Sequence, residues 1–167
     1  MVENTASEKG ELRILGIRLT AIDAQSMCNH LDSLVGVKVG EVIMHNLEFR
    51  LGKLDAARLK AEKSGAALND LIERLRRADQ LTGVGMTTVR LPNNPDEPIG
   101  VEVANPSVKG AEGAAKAFIF SYWAGAMTAL LDKEFDMKNV VYDNEKDLMK
   151  CLITPRDVAA SKKENER

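Results

Sequence analysis

Apolar positions recur along this chain at helical spacing in some stretches and at strand spacing in others, and the alternation lays out its elements. Residues 12–19 read as a short strand, with Leu12 and Ile14 on one face. Thr20 followed by Asp23 marks the start of a helix that stops near Gly36. Val39, Ile43, Leu47, Leu51 and Leu54 stand four, four, four and three residues apart, which places them on one face of a longer helix ending around Ser64-Gly65. Gly52 within that helix suggests close packing, or a weak point. A third helix, predicted over 66–81, turns Leu68, Leu71, Ile72, Leu75 and Ala78 inward and Asp70, Glu73, Arg74 and Arg77 outward, with Asp70–Arg74 and Glu73–Arg77 pairs at i,i+4.

Past Gly83 and Gly85 the period changes. MTTVRL and IGVEVAN are β-prone runs around the turn-rich PNNPDEP, which predicts a hairpin. An aromatic helix follows over 111–134. Residues 139–142 and 148–154, separated by DNEKD, then form a second hairpin. The predicted class is α+β: a helical N-terminal half packed on a small antiparallel sheet, whose two hairpins flank a buried helix. A single domain spans 11–155, and the charged ends 1–10 and 156–167 are expected to be flexible tails.

The aromatic helix carries the densest apolar signal. Phe118, Phe120, Tyr122 and Trp123 account for four of the seven aromatic residues, within AFIFSYWAGAMTALL, where Ser121 and Thr128 are the clear polar positions. A helix apolar on every side needs partners on several faces, which means core, pocket or interface. The run spans 15 residues, short of the roughly 20 that cross a bilayer, so stable membrane insertion is not expected.

Composition narrows the classes. With 167 residues the chain can bury about 70% of its unfolded surface, and its net charge of −2 argues against a protein built to coat nucleic acid. The two cysteines, Cys28 and Cys151, form no C-x-x-C pair, and the polar N-terminus has no apolar signal core, so a cytoplasmic location is expected.

From Ile99 to Ile153, the Val-Ala-Asn-Pro strand end, the helix with Phe120-Ser-Tyr-Trp-Ala-Gly125, the extended Asn139-Val-Val-Tyr and the final strand with Cys151-Leu-Ile together resemble the 4-vinyl reductase-like domain. Glu48-Phe-Arg-Leu-Gly52 matches an earlier glycine-marked helix of that family. The resemblance covers about two thirds of the chain. It implies a mixed fold shared with TRAPP vesicle-tethering subunits and, more distantly, haem nitric-oxide sensor domains. A homodimer and an apolar cavity among the helices are implied with it. The family's cysteine pair near the last hairpin is represented here by Cys151 alone, which weakens any metal or redox role derived from that pair.

Two readings of the aromatic helix follow. In one, Phe118, Tyr122, Trp123 and Met127, with Met44 or Leu47 from the long helix, line a site for a small apolar ligand, with the polar atoms of Tyr122 and Trp123 orienting it. In the other, the same residues are core and dimer seam. No second histidine or cysteine stands three or four positions from His30 or His45, so both read as surface or hydrogen-bonded groups, and no metal site is expected. Gly83-Val-Gly85 lacks a dinucleotide fingerprint, Arg74, Arg76 and Arg77 lack interleaved aromatics, and the acidic residues lie on exposed faces, so no cofactor, nucleic acid or catalytic residue is nominated. The leading expectation is a non-catalytic, homodimeric module that senses or carries a hydrocarbon, acyl chain or tetrapyrrole. The alternative is a TRAPP-like scaffold subunit that binds other proteins, and an enzyme would need an external cofactor.

Overall fold

A computed structural model describes residues 23–156 and three short strands before them, β1 (Thr5–Ala6), β2 (Leu12–Ile14) and β3 (Ile17–Leu19), which pair antiparallel in that order. The tails expected at 1–10 and 156–167 fall outside the described residues, Thr5–Ala6 and Arg156 apart, as does the expected helix start at Thr20. Helix α1 (Ala24–Val35) is opened by Asp23, whose carboxylate accepts from the Ser26 backbone N–H (3.1 Å) and hydroxyl (2.6 Å), and it closes at Gly36. Helix α2 (Val37–Glu62) follows, then α3 (Leu68–Thr82), ended by Gly83 in the left-handed conformation.

The second sheet is built from β4 (Met86–Arg90), β5 (Ile99–Ala104), β6 (Phe135–Asp143) and β7 (Leu148–Pro155) in the order β4-β5-β7-β6, every neighbour antiparallel. The two predicted hairpins are present and are zipped together by β5 against β7. Strict alternation does the rest: Ile99, Val101 and Val103 stand opposite Ile153, Cys151 and Met149, and all six side chains are buried on one face. The protein is therefore α+β, with helix α4 (Gly113–Leu131) lying on that apolar face and α2 packed along its far side. The helix ends with its apolar run at Leu131, short of the predicted 134, and β6 begins at Phe135, whose N–H is taken by the Thr128 hydroxyl (3.2 Å).

Fourteen of the nineteen residues of α4 are buried, which is what a helix apolar on every side requires. At 19 residues it is long and apolar enough to cross a membrane by composition, yet it is the core helix of this domain. Its ends lack capping residues of their own. The Asp32 carboxylate on α1 accepts from the Ala114 N–H (3.0 and 3.1 Å), and Lys60 on α2 donates to the Ala129 and Leu130 carbonyls (3.2 and 3.3 Å) and pairs with Asp132 (2.7 Å). An anion at the N-terminus and a cation at the C-terminus complement the helix dipole, and here other helices supply both.

Helices α2 and α4 run parallel, from the Lys116–Glu41 ion pair (2.6 Å) at one end to the Lys60 contacts at the other. Midway, the two backbones touch. A Cβ on Gly52 would overlap the Tyr122 carbonyl, and a Cβ on Gly125 would overlap the Phe49 carbonyl, so each glycine admits the other helix's main chain. The close packing expected at Gly52 is thereby explained.

The inward row of α2 is Gly40, Met44, Gly52 and Ala56. The larger residues Val39, Ile43, Leu47, Leu51 and Leu54, one step round the helix, are 43–66% exposed. On α3 the predicted inward set holds, with Leu71, Ile72 and Leu75 buried and Leu68 and Ala78 half-buried, but Glu73 pairs with Arg76 (2.7 Å) rather than with Arg77.

Candidate functional site

Two buried clusters meet along α4. The larger joins Phe120, Trp123 and Met127 to the inward face of the sheet and to Leu71, Ile72 and Leu75 of α3. The smaller gathers Met44, Cys28, Val108, Ala114, Ala115 and Ala117 at the N-terminal end of the helix. Phe118 and Met137 pack against both, so they sit at the junction.

That distribution separates the six residues expected to line a ligand site. Trp123 and Met127 are fully buried in the larger cluster, Met44 belongs to the smaller, and Phe118 touches both. Tyr122 is half-buried and packs on the larger cluster, with its ring edge-on to Trp123 at 6.3 Å. Leu47 is 50% exposed, in the outward row of α2.

Both polar atoms proposed to orient a ligand already have partners in the protein. The Trp123 indole N–H donates to the Asp79 carboxylate (2.8 Å), which also accepts from the Thr87 hydroxyl (2.7 Å). The Tyr122 hydroxyl donates to Asp55 (3.2 Å). A ligand that takes a hydrogen bond from Trp123 must therefore displace Asp79, at a cost of about 1–3 kcal/mol for an orphaned buried acceptor.

Sequence reasoning put the acidic residues on exposed faces, and the structure corrects this at two positions. Asp79 is buried, and burial raises its carboxyl to about 6 against the lowering influence of Thr87 and Trp123. Glu48 on α2 is raised to about 7, by burial first and then by the negative charges of Asp55 and Asp79. The Tyr122 phenol is pushed well above its usual range by burial and the same carboxylates. The spacing held the signal: Asp79 stands four residues after Leu75 and Glu48 four after Met44, each continuing an inward row.

At the junction of the clusters, His45 Nδ1 and the buried Ser121 hydroxyl are hydrogen-bonded at 2.9 Å, and the same hydroxyl lies 3.4 Å from the Met137 sulfur. The reading of His45 as a hydrogen-bonded histidine agrees with this contact. Both thiols are buried, with Cys28 raised to about 11 and Cys151 to about 12, chiefly by burial, so neither is a thiolate at neutral pH. Among the described residues, no group of three His, Cys, Asp or Glu side chains converges to hold a metal ion.

The sequence matches no family model and no curated protein. Its fold is that of a solved sensory domain. The crystal structure of the phenol-responsive sensory domain of the transcription activator PoxR, with phenol, superposes with a TM-score of 0.67 at 16% identity, covering 90% of this chain and 83% of that one. An H-NOX mutant carrying an unnatural amino acid is similar at a TM-score of 0.48 and 13% identity, over 86% of this chain and 78% of that one.

Proposed function

We propose that this chain is a non-catalytic binding module for a small apolar molecule, acting as a sensor or carrier in the cytoplasm, with the ligand seated beside α4 where the two buried clusters meet. The observation that carries the reading is the shared fold with a phenol-responsive sensory domain over nine tenths of the chain. The character of α4 supports it, since an apolar helix with a few fixed polar groups is the usual lining of such a site. On this reading Phe118, Tyr122, Trp123, Met127 and Met44 form the wall, Phe118 and Tyr122 being the half-buried aromatics through which a ligand enters. Leu47 lines the approach from α2. An apolar cavity among the helices is also what the 4-vinyl reductase-like resemblance implies.

The internal bonds of Trp123 and Tyr122 favour a ligand held by shape and apolar contact. A compact hydrocarbon, phenol or acyl chain suits such a wall better than a group needing several hydrogen bonds.

Native mass spectrometry of protein purified from its own host, followed by thermal melting with phenol, octane, decanoate and protoporphyrin, tests the reading. A stoichiometric apolar adduct is expected, together with a rise in melting temperature for at least one probe. At a hundred times its Kd a ligand stabilises by about 2.7 kcal/mol. Phe118→Ala should weaken that probe at least tenfold. A clean apo protein that answers to no probe would sink the proposal and leave the scaffold reading, in which the outward face of α2 binds protein.

A further inference from the structure

The polar groups around Tyr122 and Trp123 are unequal in kind. Their donors are spent: the indole N–H and the Thr87 hydroxyl both go to Asp79 Oδ2, and the Tyr122 hydroxyl goes to Asp55 Oδ2. Their acceptors are not. Among the described residues Asp79 Oδ1, Asp55 Oδ1 and both oxygens of Glu48 take no hydrogen bond, and no lysine, arginine or histidine pairs with any of the three carboxyls. Asp79 is only 7% exposed, yet among the described residues no sealed side-chain nitrogen or oxygen lacks a partner, so its Oδ1 opens on space that a ligand atom can reach.

The three carboxyls also converge. Glu48 and Asp55 stand two turns apart on α2, about 10.5 Å along its axis, on either side of Gly52, where the Tyr122 main chain meets the helix. Asp79 comes from α3 to the indole ring that lies edge-on to Tyr122 at 6.3 Å. All three carboxyls act on the Tyr122 hydroxyl, and Glu48 is raised by the charges of the other two as well as by burial. Negative charge withdrawn from water without a cation is destabilising until something compensates it.

We infer that the proposed site beside α4 takes a small apolar amine, its protonated nitrogen among Glu48, Asp55 and Asp79 and its body against Tyr122 and Trp123. The inference rests on the ligand reading above and names the chemistry of that ligand's polar end. An ammonium offers only donors, and here only acceptors are free, so it is held without breaking the internal bonds of Trp123 and Tyr122. It supplies the missing positive charge, its bonds to carboxylates are charge-assisted, and the aromatic faces beside it attract a cation. A carboxylate-ended molecule meets like charge and no free donor. A bare hydrocarbon fits the wall but leaves the carboxyls unpaired.

Four molecules of similar shape separate these cases: benzylamine, benzyl alcohol, toluene and benzoate, titrated into the full chain at pH 7.5 by calorimetry and thermal melting. Benzylamine should bind at least tenfold tighter than toluene, with benzyl alcohol between them and benzoate not detectable. Glu48→Gln keeps the shape of the side chain and removes a charge that no cation compensates, so the variant folds. It should weaken benzylamine at least tenfold and narrow its margin over toluene. Glu97→Gln, at an exposed carboxyl between β4 and β5, should change neither affinity, which separates a local effect from the net charge of −2. Any of the other three binding as tightly as benzylamine, or a Glu48→Gln variant that binds benzylamine like the wild type, would overturn the inference and leave the apolar site standing. No response to benzylamine overturns it whatever the others do, and silence from every probe removes the site as well.

Discussion

Helices α2 and α3 solve the same problem in opposite ways. On α3 the bulky residues Leu71, Ile72 and Leu75 face the core, and the charges other than Asp79 lie at the surface. On α2 the bulky row faces out, and Gly40, Met44, Gly52 and Ala56 face in. The partner explains the difference. Helix α3 covers side chains, so it gains from apolar volume, whereas α2 lies against the main chain of α4, where a side chain has no room. Hydrophobicity selects the buried face when the neighbour is a side-chain surface, and size selects it when the neighbour is a backbone.

The sharpest way to break this comparison is to put volume where α2 has none. Gly52→Leu and Gly125→Leu should each cost more than about 4 kcal/mol, beyond ordinary overpacking, because the obstacle is a carbonyl that cannot rotate away. Even Gly52→Ala should destabilise, although the same change in an exposed helix gains about 1 kcal/mol. Urea unfolding gives both magnitude and sign, and a stabilised Gly52→Ala would show that the helices are not in backbone contact.

On the α3 side, Leu75→Ala should cost about 3 kcal/mol by opening a cavity under the helix, measured in the same urea series. Asp79 comes next. Asp79→Ala leaves the Trp123 indole and the Thr87 hydroxyl without their acceptor and should cost about 2 kcal/mol, whereas Asp79→Asn keeps an acceptor and should cost less. The charge has its own signature. With its carboxyl raised from 3.8 to about 6, folded Asp79 holds a proton that the unfolded chain has released, so stability should fall as pH rises through that window. Glu48, raised from 4.5 to about 7, extends the decline toward neutrality. Melting temperatures from pH 4 to 7.5 should follow this slope, and Asp79→Asn should flatten its acidic half. The smallest effect belongs to the outer row: Ile43→Ser should move stability by no more than about 0.5 kcal/mol, read from urea midpoints.

The contrast also marks how far the sequence could be read. The sheet, α3 and the all-round burial of α4 follow from local spacing, because Ile99, Val101 and Val103 alternate and Leu68, Leu71, Ile72 and Leu75 recur with the helical period. The orientation of α2 does not, since the reason Gly52 points inward is the Tyr122 carbonyl, seventy positions away. His45 with Ser121 and Trp123 with Asp79 are likewise distant pairings, and no motif joins them. Of the proposed wall, the residues on α4 stood out by composition, and Met44 and Leu47 were both candidates on the long helix; only the row with Gly40 and Gly52 separates Met44, which is buried, from Leu47, which is exposed.

The borrowed caps of α4 bear on how the chain reaches this fold. Asp32 and Lys60 lie 82 and about 70 residues from the groups they satisfy, and a parallel helix pair cannot form as a local hairpin. The most apolar segment is therefore among the last to find shelter: α4 has to be made, and the loop back to α2 closed, before either end of it is neutralised. Folding should be slow for a domain of this helical content, since its decisive contacts are far apart along the chain. While α4 waits, its uncovered surface is the part of the molecule most exposed to aggregation, so the yield of native protein depends on the time taken for α2 to dock.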